Sequence, residues 1–400
     1  MSFVSKLVHV ESTPNVAWRA IDVPGSGITM LHQRSLTGEV KISAGGYGSG
    51  GCGTGIVQSS ITMGTESTRA VSVDVVDVTL AVDVATDPEG QLLAVAAPAN
   101  HGVGPQVQVL QTGFIKETAT AATIGFDGST MGIVDPFRQC TQGTPLEEPL
   151  GQATAVTFVS PHVLAVQERE PAAVSFYDLR TSRLRSRVTL GADSRFDTGH
   201  AVFHMRTGAG IACASCHPEG GDDGHVWAFE KIGPRRSQSL RGGLLGTEPL
   251  HWNGDMADFD MLVKEVFLGR MSGFAATAAQ TDALSHWLDR QPSLQAAARD
   301  SVAAERGKAL FQSEEARCAQ CHAGERFTNN KTENVGTGAD LQVPSLKGVR
   351  FRAPLMHNGC AATLKERFTK TDCGGGDKHG KTSHLSAEQV NDLTAYLETL

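Results

Sequence analysis

The sequence predicts a multidomain β + α protein. An N-terminal β-propeller-like region spans residues 1–195, and two tandem, mainly α domains follow over 196–298 and 299–400. Three observations predict it. Short apolar runs broken by turn residues fill the first half. Helical periodicity takes over after about residue 196. Two C-x-x-C-H stretches, Cys213-Ala214-Ser215-Cys216-His217 and Cys318-Ala319-Gln320-Cys321-His322, lie inside a pattern that the second half repeats.

Composition sets the bounds. Four hundred residues, 40% of them apolar, suffice for two or three ordinary cores. A net charge of −8 argues against nucleic acid as a partner and permits a basic redox protein. The 44 glycines and few aromatic residues suit short strands and tight turns. No run is long enough for a transmembrane helix. The start, Met1-Ser2-Phe3-Val4-Ser5-Lys6, lacks the apolar core of a signal peptide.

In the first half, Ala81 to Thr86, the turn Asp87-Pro88-Glu89-Gly90, and Gln91 to Val95 read as strand, turn, strand. Proline presets the turn's φ and glycine tolerates a positive one. Thr154 to Phe158, Val163 to Val166, Ala172 to Asp178 and Arg185 to Leu190 make four more strands in succession. Four short strands per unit are what a propeller blade needs, and 195 residues hold about four blades. Gly25 to Gly46 offers a further unit, and the glycine-rich run 45–55 reads as a loop. A β-sandwich is the competing arrangement.

Past residue 196, Asp258 to Leu268 places Phe259, Leu262, Val263, Val266 and Phe267 on one helical face. Thr281 to Leu288, Asp300 to Phe311 and Glu388 to Leu400 read as helices too. Gly199-His200-Ala201-Val202-Phe203 leads into the first C-x-x-C-H, and Gly307-Lys308-Ala309-Leu310-Phe311 into the second. Ser239-Leu240-Arg241-Gly242 and Leu250-His251-Trp252-Asn253-Gly254 follow the first. Ser345-Leu346-Lys347-Gly348 and Leu355-Met356-His357-Asn358-Gly359 follow the second.

C-x-x-C-H is the spacing of covalent haem attachment. The thiols of Cys213 and Cys216, and of Cys318 and Cys321, would add to haem vinyl groups. His217 and His322 would then reach each iron from one side. The cofactors expected are two covalently attached c-type haems, one in each of two cytochrome c-like domains. Zinc would want two more ligands at short spacing, which neither stretch has nearby. Four cysteines remain: Cys52, Cys140, Cys360 and Cys373. Haem attachment of this kind takes place outside the cytoplasm, where disulfides persist. Cys360 is expected to pair with Cys373, and Cys52 with Cys140, with two buried thiols the alternative for the second pair.

The tandem pattern resembles the bacterial di-haem cytochrome c peroxidase and MauG superfamily over about 196–400. The marks are the G-x-x-[LV]-F leads, the run Arg235 to Gly242, His251-Trp252-Asn253-Gly254, and Pro344 to Leu346 with Ala353 to Gly359. More weakly, the first half resembles YVTN-type propellers. The resemblance implies that the C-terminal haem takes in electrons, and that the N-terminal haem handles peroxide or oxidises a bound substrate. A redox protein would donate the electrons. The compartment implied is the periplasm or cell surface, which the N-terminal sequence does not itself encode.

Departures from the family bear on activity. Asp255 stands where its peroxidases carry arginine. Arg270-Met271 stands where they carry Glu-Met, so the carboxylate that would move a proton between peroxide oxygens is missing. Glu265 is a substitute only if its helix face turns inward. His225 resembles the displaceable distal histidine. The sixth-ligand candidates are His225, His251 and Met271 for the first iron. For the second they are His379, with Met356 and His357 as alternatives. Trp252 belongs either between the haems or in a plain core. Three functions follow: a peroxidase- or MauG-type oxidoreductase, an electron carrier with both irons six-coordinate, or a propeller-led binding module with a sensory haem half.

Overall fold

The computed structural model describes residues 12–48, 52, 55–64, 70–121, 140–191 and 193–400. The stretch 1–6 and part of the run 45–55 lie outside them. The chain forms two compact units, one of residues 1–216 with 267–274 and the other of 217–266 with 275–400. One division therefore falls between Cys216 and His217, rather than at 195 or 298.

The first unit is built on sheets. Strands β1 (Ser12–Val23), β2 (Gly27–Leu36), β3 (Val57–Gly64) and β4 (Val71–Val75) run antiparallel in sequence order. Strands β5 (Asp83–Thr86), β6 (Leu92–Ala96) and β7 (Val107–Gln111) form a second antiparallel sheet. The short β8 (Cys140–Thr141) joins β4 in parallel, and β9 (Thr144–Pro145) joins β7. Strands β10 (Ala153–Ser160), β11 (Val163–Glu168), β12 (Ala173–Asp178) and β13 (Arg183–Thr189) make the third sheet.

Local chemistry explains the turns. The Asp87 carboxylate accepts from the backbone N–H of Gln91 and Leu92 at 2.7 and 2.8 Å. Gly90 takes φ +69°, and a Cβ there would stand 2.2 Å from the Pro24 carbonyl oxygen. Only glycine fits both demands. In the third sheet, alternate residues of β12 turn inward, as half-burial requires. Inside that sheet, Glu168 accepts from Ser175 and pairs with Arg187 at 3.1 Å.

Neighbouring sheets share cores. Val23, Leu31, Ile61 and Val73 of the first pack with Val84, Leu93, Val95 and Leu110 of the second. Ala94, Ala96 and Val107 of the second pack with Val156, Leu164, Val166 and Tyr177 of the third. Face-to-face stacking of consecutive meanders is the propeller plan. Three such sheets are present among the described residues, where about four blades were expected and a ring needs at least four. The region is also not purely β. Helix α1 (Thr112–Ala121) follows β7 directly, and its Ile115, fully buried, completes the first core. The helix sequence, with Phe114 and Ile115 as the large apolar residues, left too weak a period to read. Cys52 and Cys140 form a disulfide in this unit.

Helices α2 (Thr198–His204) and α3 (Cys213–Cys216) end the long segment of the first unit. The second unit begins with the hairpin β14 (Val226–Phe229) and β15 (Gly233–Arg236). Helix α4 (Phe259–Leu262) then passes into a π-helical stretch, Val263–Arg270, so the helix expected at 258–268 is α-helical only in its first turn. Helices α5 (Ala278–Asp289) and α6 (Ser301–Gln312), the hairpin β16 (Thr332–Asn334) and β17 (Asp340–Gln342), and helices α7 (Leu364–Thr369) and α8 (Ala387–Leu397) complete the chain.

The duplication is written in the backbone. Leu250 bridges Met256, and Leu355 bridges Ala361. His251 and Met356 both take positive φ, +69° and +72°, followed by Gly254 and Gly359 at +62° and +66°. Asp258 caps α4 and Thr363 caps α7. Capping boxes, Thr277 with Gln280 and Ser386 with Gln389, start α5 and α8. The copies also exchange hydrogen bonds. Arg236 N–H of β15 donates to the His357 carbonyl at 2.6 Å, and Gln342 N–H of β17 donates to the Trp252 carbonyl at 2.8 Å. Each hairpin thus binds the other copy's loop.

Candidate haem site

The second C-x-x-C-H lies wholly in the second unit, on a 3₁₀ turn over Cys318–Gln320. Helix α6 leads into it and packs on α8. A Cβ on Gly307 would stand 1.9 Å from the Asp392 carbonyl oxygen, so the glycine of the lead motif permits the helix crossing. Around the crossing, Phe311, Phe368, Leu393 and Tyr396 build the core.

His322 Nδ1 bonds the Phe327 carbonyl at 3.0 Å, which leaves Nε2 to ligate. The His379 ring faces it, with centroids 6.0 Å apart and planes at 37°. Burial depresses the pKa of both, His322 to about 4 and His379 well below the usual histidine range. Both are therefore neutral, as ligands must be. His379 Nδ1 is buried and has no hydrogen-bond partner. The thiols of Cys318 and Cys321 are unpaired. An imidazole nitrogen sits about 2 Å from a metal, and its ring centre roughly 1 Å further, so two rings on one ion stand about 6 Å apart. The residues present fit a haem iron between His322 and His379.

The loop carrying His379 is tightly held. Its N–H donates to the Gly374 carbonyl at 3.2 Å, and Lys381 N–H donates to the Ala316 carbonyl at 2.9 Å. Cys360 and Cys373 form the expected disulfide just before it. The alternatives for this iron fare differently. His357 is buried against Trp252 with ring centroids 6.3 Å apart, and Met356 packs at the edge of the core.

In the first motif, Cys213 and Cys216 form no disulfide, and burial pushes the Cys213 thiol up to about 12. Helix α3 carries them. Its Ser215 Oγ accepts from Ala212 N–H at 3.1 Å, and its carbonyl from Gln33 Nε2 at 2.8 Å. His217 Nδ1 bonds the Gly221 carbonyl at 3.3 Å, matching His322. His225 lies in a turn where its N–H donates to Asp223 at 2.9 Å and its ring meets Trp227 edge-on at 4.4 Å. His251 pairs with Asp255 at 3.3 Å. Trp252 donates from Nε1 to the Arg236 carbonyl at 2.7 Å. All four belong to the second unit.

Arg270 and Met271 belong to the first unit. Arg270 donates to the Tyr47 hydroxyl at 3.5 Å, and Met271 is buried. Glu265 is exposed on the π-helical stretch. Sequence reasoning missed Arg367, which lies buried on α7 and donates from Nη2 to the His379 carbonyl. Its position between the inward residues Leu364 and Phe368 was the available signal. It also missed the exchanged bonds of Arg236 and Gln342, which no local pattern encodes.

Comparison with known proteins agrees with this chemistry. Residues 304–400 match the cytochrome c family. The chain is 22% identical to hydrazine synthase subunit gamma of Kuenenia stuttgartiensis, over 58% of this chain and 83% of that protein. It is 32% identical to methylamine utilization protein MauG of Methylorubrum extorquens, over 24% of this chain and 34% of MauG. It is 36% identical to cytochrome-c peroxidase IdrP1 of Denitromonas iodatirespirans, over 18% and 20%. The chain thus spans about a third or less of the length of the last two. No described helix is long and apolar enough to cross a membrane. These matches imply a covalently bound c-type haem. The chain is a sheet-rich protein whose C-terminal residues 304–400 match the cytochrome c family and which is similar over part of its length to MauG and to cytochrome-c peroxidase IdrP1.

Proposed function

We propose that this chain is a two-haem c-type cytochrome working outside the cytoplasm, in which electrons enter at the C-terminal haem and reduce peroxide at the N-terminal one, or a bound substrate is oxidised there with peroxide as the oxidant. The haem supplies one-electron chemistry when bound. Cys213, Cys216, Cys318 and Cys321 would anchor the two groups, and His217 and His322 would ligate them. The observation that carries the reading is the facing pair His322 and His379. An iron held from both sides has no open position for a substrate, and such a site transfers electrons. The donor is a redox protein, for which the net charge of −8 favours a basic docking face.

The first motif carries the substrate side of the proposal, with His225, His251 or Met271 as its second ligand. His225 directly precedes β14, with its N–H held by Asp223 and its ring edge-on to Trp227. Asp255 is occupied by His251, and the position of the missing carboxylate holds Arg270, which cannot accept a proton at neutral pH. Proton transfer by a placed group contributes about 10²–10⁴-fold in rate. Peroxide turnover is therefore slow, which also favours a second reading, an electron carrier with both irons six-coordinate. Two disulfides support a compartment outside the cytoplasm. Spectra of the oxidised and half-reduced protein, with and without peroxide, separate the readings. The enzyme reading expects one haem to open after half-reduction and to react, whereas two unresponsive low-spin haems leave only the carrier.

A further inference from the structure

Arg367, on α7, is a buried cation beside the His379 loop. Only 9% of the residue is exposed. Its Cζ lies 4.8 Å from the centre of the Phe368 ring, and Nη1 is buried without a hydrogen-bond partner. The titratable groups around it are the Cys318 thiol and the His322 and His379 imidazoles, and it forms no ion pair among the described residues. A buried cation is costly and persists where something requires it. Nη2 shows the requirement, since it donates to the carbonyl of His379.

That bond fixes the peptide between His379 and Gly380. The carbonyl direction sets ψ of His379, and hence where its ring is carried. The next residue is pinned from the other side. Gly380 takes φ +75°, and a Cβ there would lie 3.1 Å from the Ala316 carbonyl oxygen. Gly374, whose carbonyl accepts from His379 N–H, has its own Cβ position 3.0 Å from His379 Cβ. Nδ1 of the ring has no partner to orient it. The ring's aim at His322 therefore depends on its backbone, and Arg367 holds the carbonyl end.

We propose that Arg367 is the positioning residue that aims His379 at the second iron, and that its positive charge favours that iron's reduced state. This rests on the reading of His379 as a ligand. A fixed positive charge beside a redox centre stabilises the form with one less positive charge, so it raises the reduction potential.

The test uses the full chain with haem attached, read by the spin state and potential of the second haem. R367M removes both donor and charge. It should convert part of that haem from low-spin to high-spin, and added imidazole should restore it. R367Q keeps an N–H donor without charge. It should stay low-spin, with the potential lowered by about tenfold in the reduced-to-oxidised ratio, or 59 mV for one electron. R367M in an H379A background should change the spin state no further. An R367M protein with wild-type spin state, or an R367Q protein with wild-type potential, overturns the proposal. If R367M fails to fold, R367Q decides through its potential. If both fail, R367K decides: it keeps the charge, so a lowered potential there overturns the electrostatic role. H379A alone tests the underlying ligand reading. If it leaves both haems low-spin, that reading fails and the proposal with it. If it opens one haem and R367M does not, only the role of Arg367 fails.

Discussion

The rings of His322 and His379 face each other with centroids 6.0 Å apart, and each is held from behind by backbone. His322 is held through Nδ1 on the Phe327 carbonyl, and His379 through its own main chain. Replacing His379 by Ala should turn one low-spin haem high-spin and leave the other untouched. Optical and electron paramagnetic resonance spectra of the oxidised protein read this directly. Two unchanged low-spin signals would move the ligand elsewhere.

Gly307 governs how closely α6 and α8 cross. With a Cβ, residue 307 would stand 1.9 Å from the Asp392 carbonyl oxygen and 2.5 Å from its carbon. Both are backbone atoms, so a helix must shift. Gly307→Ala should cost about 1–3 kcal/mol, the usual penalty for overpacking. Denaturant unfolding of the haem-loaded chain checks it. A midpoint equal to wild type would mean that the crossing is looser than this geometry.

Much of this was legible in the sequence, for local reasons. The Asp87 to Gly90 turn and the strands around it need only their own residues, and so do the capped helices at 278 and 387. The repeated loops at 250–254 and 355–359 could be aligned by eye. The haem motifs leave four cysteines over, the thirteen-residue separation of Cys360 and Cys373 pointed to that pair, and Cys52–Cys140, for which two buried thiols were the alternative, is a disulfide as well. Helix α1 was missed because a sequence with Phe114 and Ile115 as its large apolar residues is too little pattern. The π-helical stretch was missed because a widened turn keeps the same apolar residues inward. The hydrogen bonds that Arg236 and Gln342 exchange depend on residues ninety or more positions apart, and no window of the chain carries that information.

Asp392 predicts a pH dependence. Its carboxylate accepts from Arg306 Nε and Nη2 at 2.7 and 2.6 Å, and those bonds hold its pKa below the ordinary 3.8. A group with a depressed folded pKa stabilises fully above its unfolded value, and the contribution is lost as pH falls through the depressed one. Wild type should therefore lose stability more steeply than Asp392→Asn below about pH 4, as the ordinary carboxyl value sets the window. Unfolding midpoints measured between neutral and acid pH check it. Parallel curves would show that the pair contributes nothing.

The proposed function requires two covalent haems, one on each C-x-x-C-H. Four of its eight cysteines remain as thiols once the two disulfides are counted, and they are the four of those motifs. The most direct measurement is the intact mass of denatured protein matured in an exporting, haem-attaching host. The account predicts two haem additions that survive denaturation, and one addition when Cys213 and Cys216 are both replaced by Ala. A wild-type mass with one haem or none would contradict it.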